Sequence, residues 1–218
     1  MKKHWLNKQG NKDCILFFNG WGMDEKAIRY LDSSNFDICM FNEYHELSSI
    51  DEDLSQYDAI YVVAWSLGVW VASHILSQSS LKIAKAIAIN GTQQPIDDKL
   101  GISPSIFQLT LNTWDDKNRS KFYIRMFGGQ RQYILLSDRI SDDEPNKQKQ
   151  ELSHILQQVF LNEEVDFNFD CALIGTNDLI FTSVNQKNYW NAKTRIVEIE
   201  IPHYPFTLFE SWDQIIKL

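Results

Sequence analysis

The hydrophobic residues of the chain fall into short, nearly continuous runs, and helical periodicity fills some of the intervals between them. Runs of this length and composition are typical of buried strands. Six runs predict strands over residues 14–18, 36–41, 59–64, 83–89, 171–174 and 195–201. Helical spacing is present over residues 23–31 and 65–76. Strands that alternate with helices predict an α/β fold with a mainly parallel sheet.

Two parts of the chain depart from that alternation. Residues 100–165 are more polar, with helical periodicity in patches, and predict a helical cap insertion over one edge of the sheet. The stretch before the first central strand has room for one short strand near Trp5. We therefore expect residues 1–218 to form a single domain, with a sheet of about six or seven strands and a reduced N-terminal hairpin.

Composition narrows the class of protein. The chain has 21 Lys and Arg against 29 Asp and Glu, a net charge of −8, whereas nucleic-acid-binding proteins usually carry a basic excess. No apolar run approaches the ~20 residues that span a bilayer, and the N-terminus lacks the apolar segment of a secretory signal. The three cysteines are far apart and odd in number, which favours reduced thiols in the cytoplasm over disulfides or a zinc site.

Chemistry-bearing side chains follow the strands at their carboxyl ends. Ser66 follows the third run, Asp178 the fifth and His203 the sixth, and a turn rich in glycine, residues 19–22, follows the first. The carboxyl ends of parallel strands meet at one edge of a sheet, where active sites form. The order Ser, Asp, His is that of the catalytic triad of α/β-hydrolases.

Ser66 lies in a pentapeptide close to the nucleophile elbow G-x-S-x-G, with Ala64 in place of the first glycine. A serine that only caps the following helix is the alternative interpretation. His203 would act as general base and Asp178 would orient its imidazole. His45, which also follows a strand, is the main rival for the base, and Asp178 could be an ordinary turn residue.

Two backbone N–H groups are candidates for an oxyanion hole. One belongs to Leu67, directly after the proposed nucleophile, and the other to Trp21, between two glycines of the turn. The alternative for the second is a plain turn with a packed tryptophan. We find no pair of metal ligands such as H-E-x-x-H, so no metal is expected.

Four segments resemble the BioG family of small α/β-hydrolases: residues 17–23 (FFNGWGM), 65–70 (WSLGVW), 90–96 (NGTQQPI) and 201–203 (IPH). The resemblance implies a cytoplasmic pimeloyl-[acyl-carrier protein] methyl ester esterase of biotin synthesis, without metal or cofactor. It also implies Ser66, Asp178 and His203 as the triad, with Trp21 and Leu67 as oxyanion donors. The acyl-carrier protein would then be the partner, as carrier of the substrate.

Further residues are expected to bind such a substrate. The apolar pocket is predicted to be lined by aromatic side chains, namely Trp21, Trp65, Trp114 and Phe127; ordinary core packing is the alternative for them. A basic cluster in an otherwise acidic chain predicts docking of an acidic carrier. Its members are Lys117, Arg119, Lys121, Arg125 and Arg131. A solvated helix face is the alternative, because acidic residues flank the cluster.

Two other functions remain open. One is a general short-chain carboxylesterase or thioesterase that uses the same triad. The other is a hydrolase-like binding protein without catalytic activity. The relative activity on carrier-bound and free methyl esters distinguishes a general esterase from the specific one. Labelling of Ser66 by a fluorophosphonate distinguishes an enzyme from a binding protein without catalytic activity.

Overall fold

Seven strands form a single sheet in the computed structural model, which describes residues 1–33, 35–50, 53–161 and 167–218. The spatial order is β1-β3-β2-β4-β5-β6-β7. The strands are β1 (Lys2–Asn7), β2 (Asp13–Phe18), β3 (Phe36–Asn42), β4 (Ala59–Trp65), β5 (Lys85–Ile89), β6 (Cys171–Gly175) and β7 (Arg195–Ile199). Only β1 is antiparallel to its neighbour. The α/β-hydrolase architecture and the single short N-terminal strand are confirmed.

Helices cover the sheet and one of its edges. They are α1 (Leu67–Leu76), α2 (Pro104–Thr113), α3 (Asp116–Met126), α4 (Gln130–Leu135), α5 (Pro145–Leu161), α6 (Ser183–Trp190) and α7 (Trp212–Ile216). The central strands are buried on both faces: every residue of β6 and all but the first of β2 are inaccessible. Alternate residues of each strand therefore belong to two separate hydrophobic clusters, one on each side of the sheet.

The helices α2 to α5 all lie between β5 and β6, in the region where the sequence predicts an insertion. We call residues 104–161 the cap segment. Residues 162–165 of the predicted insertion lie outside the described residues. Because the segment follows the carboxyl end of β5, it begins at the end of the sheet where Ser66 and Asp178 lie, and it precedes the amino end of β6.

The predicted helix over residues 23–31 is wrong. Only a single 3₁₀ turn, Glu25–Ala27, forms there, capped by the Asp24 side chain, which accepts from the backbone N–H of Lys26. The carbonyl of Ala27 accepts the hydroxyl of Tyr204 instead of a helical N–H from Leu31. The apolar residues that gave the helical spacing are buried as expected, but the backbone that buries them is a turn and not a helix.

Candidate active site

Ser66 stands at a sharp turn between β4 and α1. Its backbone has φ 59° and ψ −129°, a conformation that L-residues rarely adopt and that stores strain of order 1–3 kcal/mol. The turn is held because the N–H of Ser66 donates to the carbonyl of Ile89 on the neighbouring strand, at 2.9 Å. A Cβ on Gly68 would lie 2.4 Å from the carbonyl oxygen of Phe18, so the second glycine of the elbow is sterically required. The strand, strained turn and helix are those of a nucleophile elbow.

Three side chains from distant parts of the chain meet above this turn. The Nε2 of His203 lies 2.9 Å from the Oγ of Ser66, a residue 137 positions earlier. Its Nδ1 lies 2.8 Å from the Oδ2 of Asp178. All three residues are buried. A hydroxyl, an imidazole and a carboxylate in this order can pass a proton from the serine to the histidine.

Asp178 is held as a carboxylate acceptor by three further donors. Its Oδ1 accepts the backbone N–H groups of Ile180, at 2.8 Å, and Phe181, at 3.0 Å. Its Oδ2 accepts from the Nε2 of Gln186 at 3.1 Å as well as facing His203. A carboxylate with these bonds favours the histidine tautomer that carries its proton on Nδ1 and leaves Nε2 free to accept from the serine.

Asn90 positions the two loops that carry Asp178 and His203, a role that the sequence reasoning did not assign to it. Its amide nitrogen donates to the carbonyls of Pro202, at 3.1 Å, and His203, at 2.9 Å, and its amide oxygen accepts the N–H of Gly175 at 2.6 Å. The position gave a signal, because Asn90 also follows a strand at its carboxyl end. Asn90 also begins the segment 90–96 that resembles the BioG family.

His203 itself is fixed by its surroundings. The indole N–H of Trp65 donates to the carbonyl of His203 at 2.9 Å. The ring of Phe181 stacks parallel to the imidazole, with centroids 6.1 Å apart. The rival, His45, contacts neither Ser66 nor Asp178, so the structure brings His203 and not His45 to the serine hydroxyl.

The candidate oxyanion donors, Trp21 and Leu67, line the same cavity as Ser66 and His203. Within the described residues, neither backbone N–H donates to a protein acceptor. Unpaired N–H groups beside a serine hydroxyl are available to an oxygen of a bound ligand.

The cavity above Ser66 has a volume of about 670 Å³ and lies between the sheet edge and the cap segment. Of the four predicted aromatic residues, Trp21, Trp65 and Trp114 line it, and the rings of Trp21 and Trp114 are 4.5 Å apart. The prediction for Phe127 is wrong. Its ring packs 4.9 Å from that of Tyr204 in the core, because the last turn of α3 directs it towards the sheet.

The predicted basic cluster divides into three parts. Lys121 and Arg125, one turn apart on α3, are exposed and line the cavity. Lys117 and Arg131 are exposed elsewhere on the cap segment. Arg119 instead lies half-buried, where its guanidinium donates to the carbonyl of Ser141 at 2.8 Å and lies over the ring of Tyr123. Docking by Arg119 is therefore not supported by its position.

Neither a cluster of metal ligands nor a membrane-spanning helix is found in the part of the chain that the structure describes. No group of three or more His, Cys, Asp or Glu side chains there is arranged to hold a metal ion. Among the same residues, no helix is both long and apolar enough to cross a bilayer.

Comparison with known proteins gives a family match over nearly the whole chain. A family model described as "Pimeloyl-ACP methyl esterase BioG" matches residues 1–215. A protein of Bacteroides fragilis named malonyl-[acyl-carrier protein] O-methyltransferase is 39% identical over 179 residues, which are 82% of this chain. The chain covers only 36% of that relative's length. An uncharacterized protein of Haemophilus influenzae is 34% identical over 220 residues and matches 99% of each chain.

Solved structures agree on the architecture. The crystal structure of BioG from Haemophilus influenzae has a TM-score of 0.92 at 32% identity, over 99% of this chain and 100% of that one. The enol-lactonase of Burkholderia xenovorans has a TM-score of 0.70 at 15% identity, over 99% of this chain and 93% of that one. The second likeness shows the shared fold alone.

Proposed function

The chain belongs to the BioG family, and we propose that it is a serine carboxylesterase that hydrolyses the methyl ester of pimeloyl-[acyl-carrier protein] in biotin biosynthesis. The observation that carries the proposal is the pair of hydrogen bonds from His203 to Ser66 and to Asp178, set at a strained elbow. We further propose one hydrolase domain over residues 1–218, in which the cap segment covers the site, and a cytoplasmic location.

The first half of the reaction forms an acyl-enzyme. The Oγ of Ser66 attacks the ester carbonyl carbon while the Nε2 of His203 takes its proton, and the imidazolium is stabilised by Asp178. The negative charge on the carbonyl oxygen is met by the N–H groups of Trp21 and Leu67. When the tetrahedral intermediate collapses, His203 returns the proton to the leaving oxygen and methanol departs.

The second half regenerates the serine. Water takes the place of methanol, gives a proton to His203 and attacks the acyl carbon, and the second tetrahedral intermediate releases a carboxylate and the Ser66 hydroxyl. The product stays attached to its carrier. Its free carboxylate is costly to bury in an apolar channel, so enzymes that elongate apolar acyl chains would no longer accept it.

The cavity accounts for binding of the acyl chain. Its aromatic walls and its volume of about 670 Å³ accommodate a seven-carbon chain, and each buried methylene contributes about 0.8 kcal/mol. At its rim, Lys121 and Arg125 supply positive charge to a protein of net charge −8. The relative from Bacteroides fragilis is also named for a substrate on an acyl-carrier protein, which supports a carrier-bound substrate here.

A purified sample of the protein is expected to release methanol from pimeloyl-[acyl-carrier protein] methyl ester and to leave a carboxylate on the carrier. In water enriched in ¹⁸O, the label is expected in the carboxylate and not in the methanol, because the serine attacks the acyl carbon. Mass spectrometry of both products checks this. Label in the methanol, or no methanol at all, contradicts the proposal, whereas equal turnover of short free esters favours the general esterase.

Charge reversal at the cavity rim is expected to weaken binding of the carrier. Lys121→Glu places a carboxylate where an acidic carrier approaches, and KM for the carrier-bound ester is expected to rise about tenfold, or roughly 1.4 kcal/mol. The kcat for a small free ester is expected to stay within about twofold, because no carrier is involved.

The matched control is Lys82→Glu. Lys82 is exposed and precedes β5, at the end of the sheet opposite the cavity. Steady-state kinetics at low and high salt provide the measurement. An equal rise in KM for both variants, or none for Lys121→Glu, contradicts docking at the rim.

A further inference from the structure

A buried carboxylate of the cap segment faces the glycine turn. Glu151 on α5 is 4% exposed, and its two oxygens accept the N–H of Gly22 at 3.3 Å and that of Tyr44 at 3.0 Å. Within the described residues, no basic side chain forms an ion pair with it. Its pKa is raised to about 7, mainly by burial; the two N–H bonds oppose the rise, and the carboxylates of Glu43 and Asp143 add to it. A buried carboxyl group whose two hydrogen-bond donors are backbone N–H groups is an expensive group to use for packing alone.

Gln148, one turn earlier on α5, holds the other side of the same turn. Its amide nitrogen donates to the carbonyl of Gly22 at 2.8 Å and to the hydroxyl of Tyr123 at 3.0 Å. Its backbone carbonyl accepts the indole N–H of Trp21 at 2.8 Å. The N–H and the carbonyl of Gly22 are thus both held by α5. Gly22 has a φ of +68°, and because glycine lacks a Cβ its backbone could adopt other conformations at little cost without these bonds.

Tyr44 connects Glu151 by hydrogen bonds to the start of the turn. Its hydroxyl donates to the carbonyl of Asn19 at 2.7 Å, while its N–H is bound by Glu151. The side-chain oxygen of Asn19 in turn accepts the N–H of Gly20 at 2.9 Å. The peptide that carries the N–H of Trp21 is therefore held in two ways. Its own carbonyl, that of Gly20, accepts the N–H of Met23 at 3.3 Å within the turn, and the residues before and after it are held by bonds that lead to one face of α5.

We infer that Gln148 and Glu151 are positioning residues, which hold the glycine turn so that the N–H of Trp21 points at the oxyanion. The inference rests on the proposed esterase function. Neither side chain touches the substrate. They affect the rate of the chemical step, because an oxyanion hole stabilises the transition state only when its N–H donors already point at the position of the oxyanion.

Two shape-preserving variants test the inference. Glu151→Gln replaces one acceptor oxygen with an NH₂ group that faces a backbone N–H, and Gln148→Met removes the donor to the Gly22 carbonyl. Because complete removal of an oxyanion donor lowers kcat about 10²–10³-fold, we expect a misaimed donor to lower kcat roughly 10- to 100-fold. We expect KM to stay within about twofold, because ground-state binding does not use the hole.

The decisive readout compares two inhibitors built on the same acyl chain. With a trifluoromethyl ketone, the Oγ of Ser66 adds to the carbonyl carbon and the serine proton passes to His203. The former carbonyl oxygen becomes an alkoxide that lies in the oxyanion hole. The matching amide is not attacked and binds as a ground state. Both variants are expected to bind the ketone more weakly by the same factor as the loss of kcat, with amide affinity unchanged.

The control is Gln150→Met, which makes the same chemical change on the exposed side of α5 and is expected to leave both affinities as in the wild type. Measurements are made at 10 °C, and thermal melts show that each variant is folded there. An unchanged ratio of ketone to amide affinity in either variant overturns the inference, as does an equal loss for both inhibitors. Wild-type protein in which a fluorophosphonate fails to label Ser66 instead overturns the esterase proposal itself.

Discussion

Ser66→Ala is expected to lower kcat for the carrier-bound methyl ester by at least about 10⁴-fold, because the acyl-enzyme cannot form without the Oγ that attacks the ester carbon. Fluorophosphonate labelling is expected to disappear with it. The fold is expected to persist, since the Oγ of Ser66 bonds only to His203 among the described residues. Ser66→Gly is expected to melt above Ser66→Ala, because glycine adopts a φ of 59° without strain.

Ser77→Ala serves as the control for that pair. Ser77 is exposed at the other end of α1, where its hydroxyl donates to the carbonyl of His74. Rates of methanol release and the extent of labelling are measured for all four proteins. Turnover by Ser66→Ala above about one per cent of the wild type would mean that a different group attacks the ester, and the proposed mechanism would be wrong.

Asp178→Asn is expected to lower kcat on the order of 10⁴-fold through the tautomer of His203. The Oδ1 of Asp178 accepts two backbone N–H groups, so the amide oxygen of the variant has to stay there. The new NH₂ group then takes the place of Oδ2 and donates to the Nδ1 of His203. The proton of the imidazole moves to Nε2, which no longer accepts from Ser66.

A pH profile and NMR of the imidazole nitrogens check this explanation. The spectra are expected to show the proton on Nδ1 in the wild type and on Nε2 in the variant. Asp170→Asn makes the same change at a carboxylate that accepts the N–H of Ala86 at the opposite edge of the sheet, and is expected to retain full activity. An Asp178→Asn variant with the wild-type tautomer but little activity would contradict the role assigned to Asp178.

The sheet and the three side chains at its edge could be predicted from the sequence for one physical reason. A fully buried parallel strand is a continuous apolar run, and the residue after it lies at a known edge. Ser66 and Asp178 each follow such a run, and His203 follows the partly exposed edge strand β7, in which apolar and polar residues are mixed. Their order indicated where they would meet. The structure places them within hydrogen-bond distance.

Contacts between distant polar residues had no such pattern. Gln148 and Glu151 showed only the spacing of an amphipathic helix, and their partners Trp21, Gly22 and Tyr44 lie more than 100 residues away. The error at residues 23–31 has a related cause. Ala27 is buried there by a turn, and its carbonyl accepts the hydroxyl of Tyr204 where a helix would supply a backbone N–H. Helical spacing reports which residues are buried, and tertiary contacts decide the backbone that buries them.

The separation of 137 positions between Ser66 and His203 has a consequence for synthesis of the protein on the ribosome. Synthesis proceeds from the N-terminus at about 5–20 residues per second. The serine therefore leaves the exit tunnel seconds before its base has been translated. During that interval the Ser66 hydroxyl has no histidine to accept its proton, and the proposed esterase could act only after the last strand has joined the sheet.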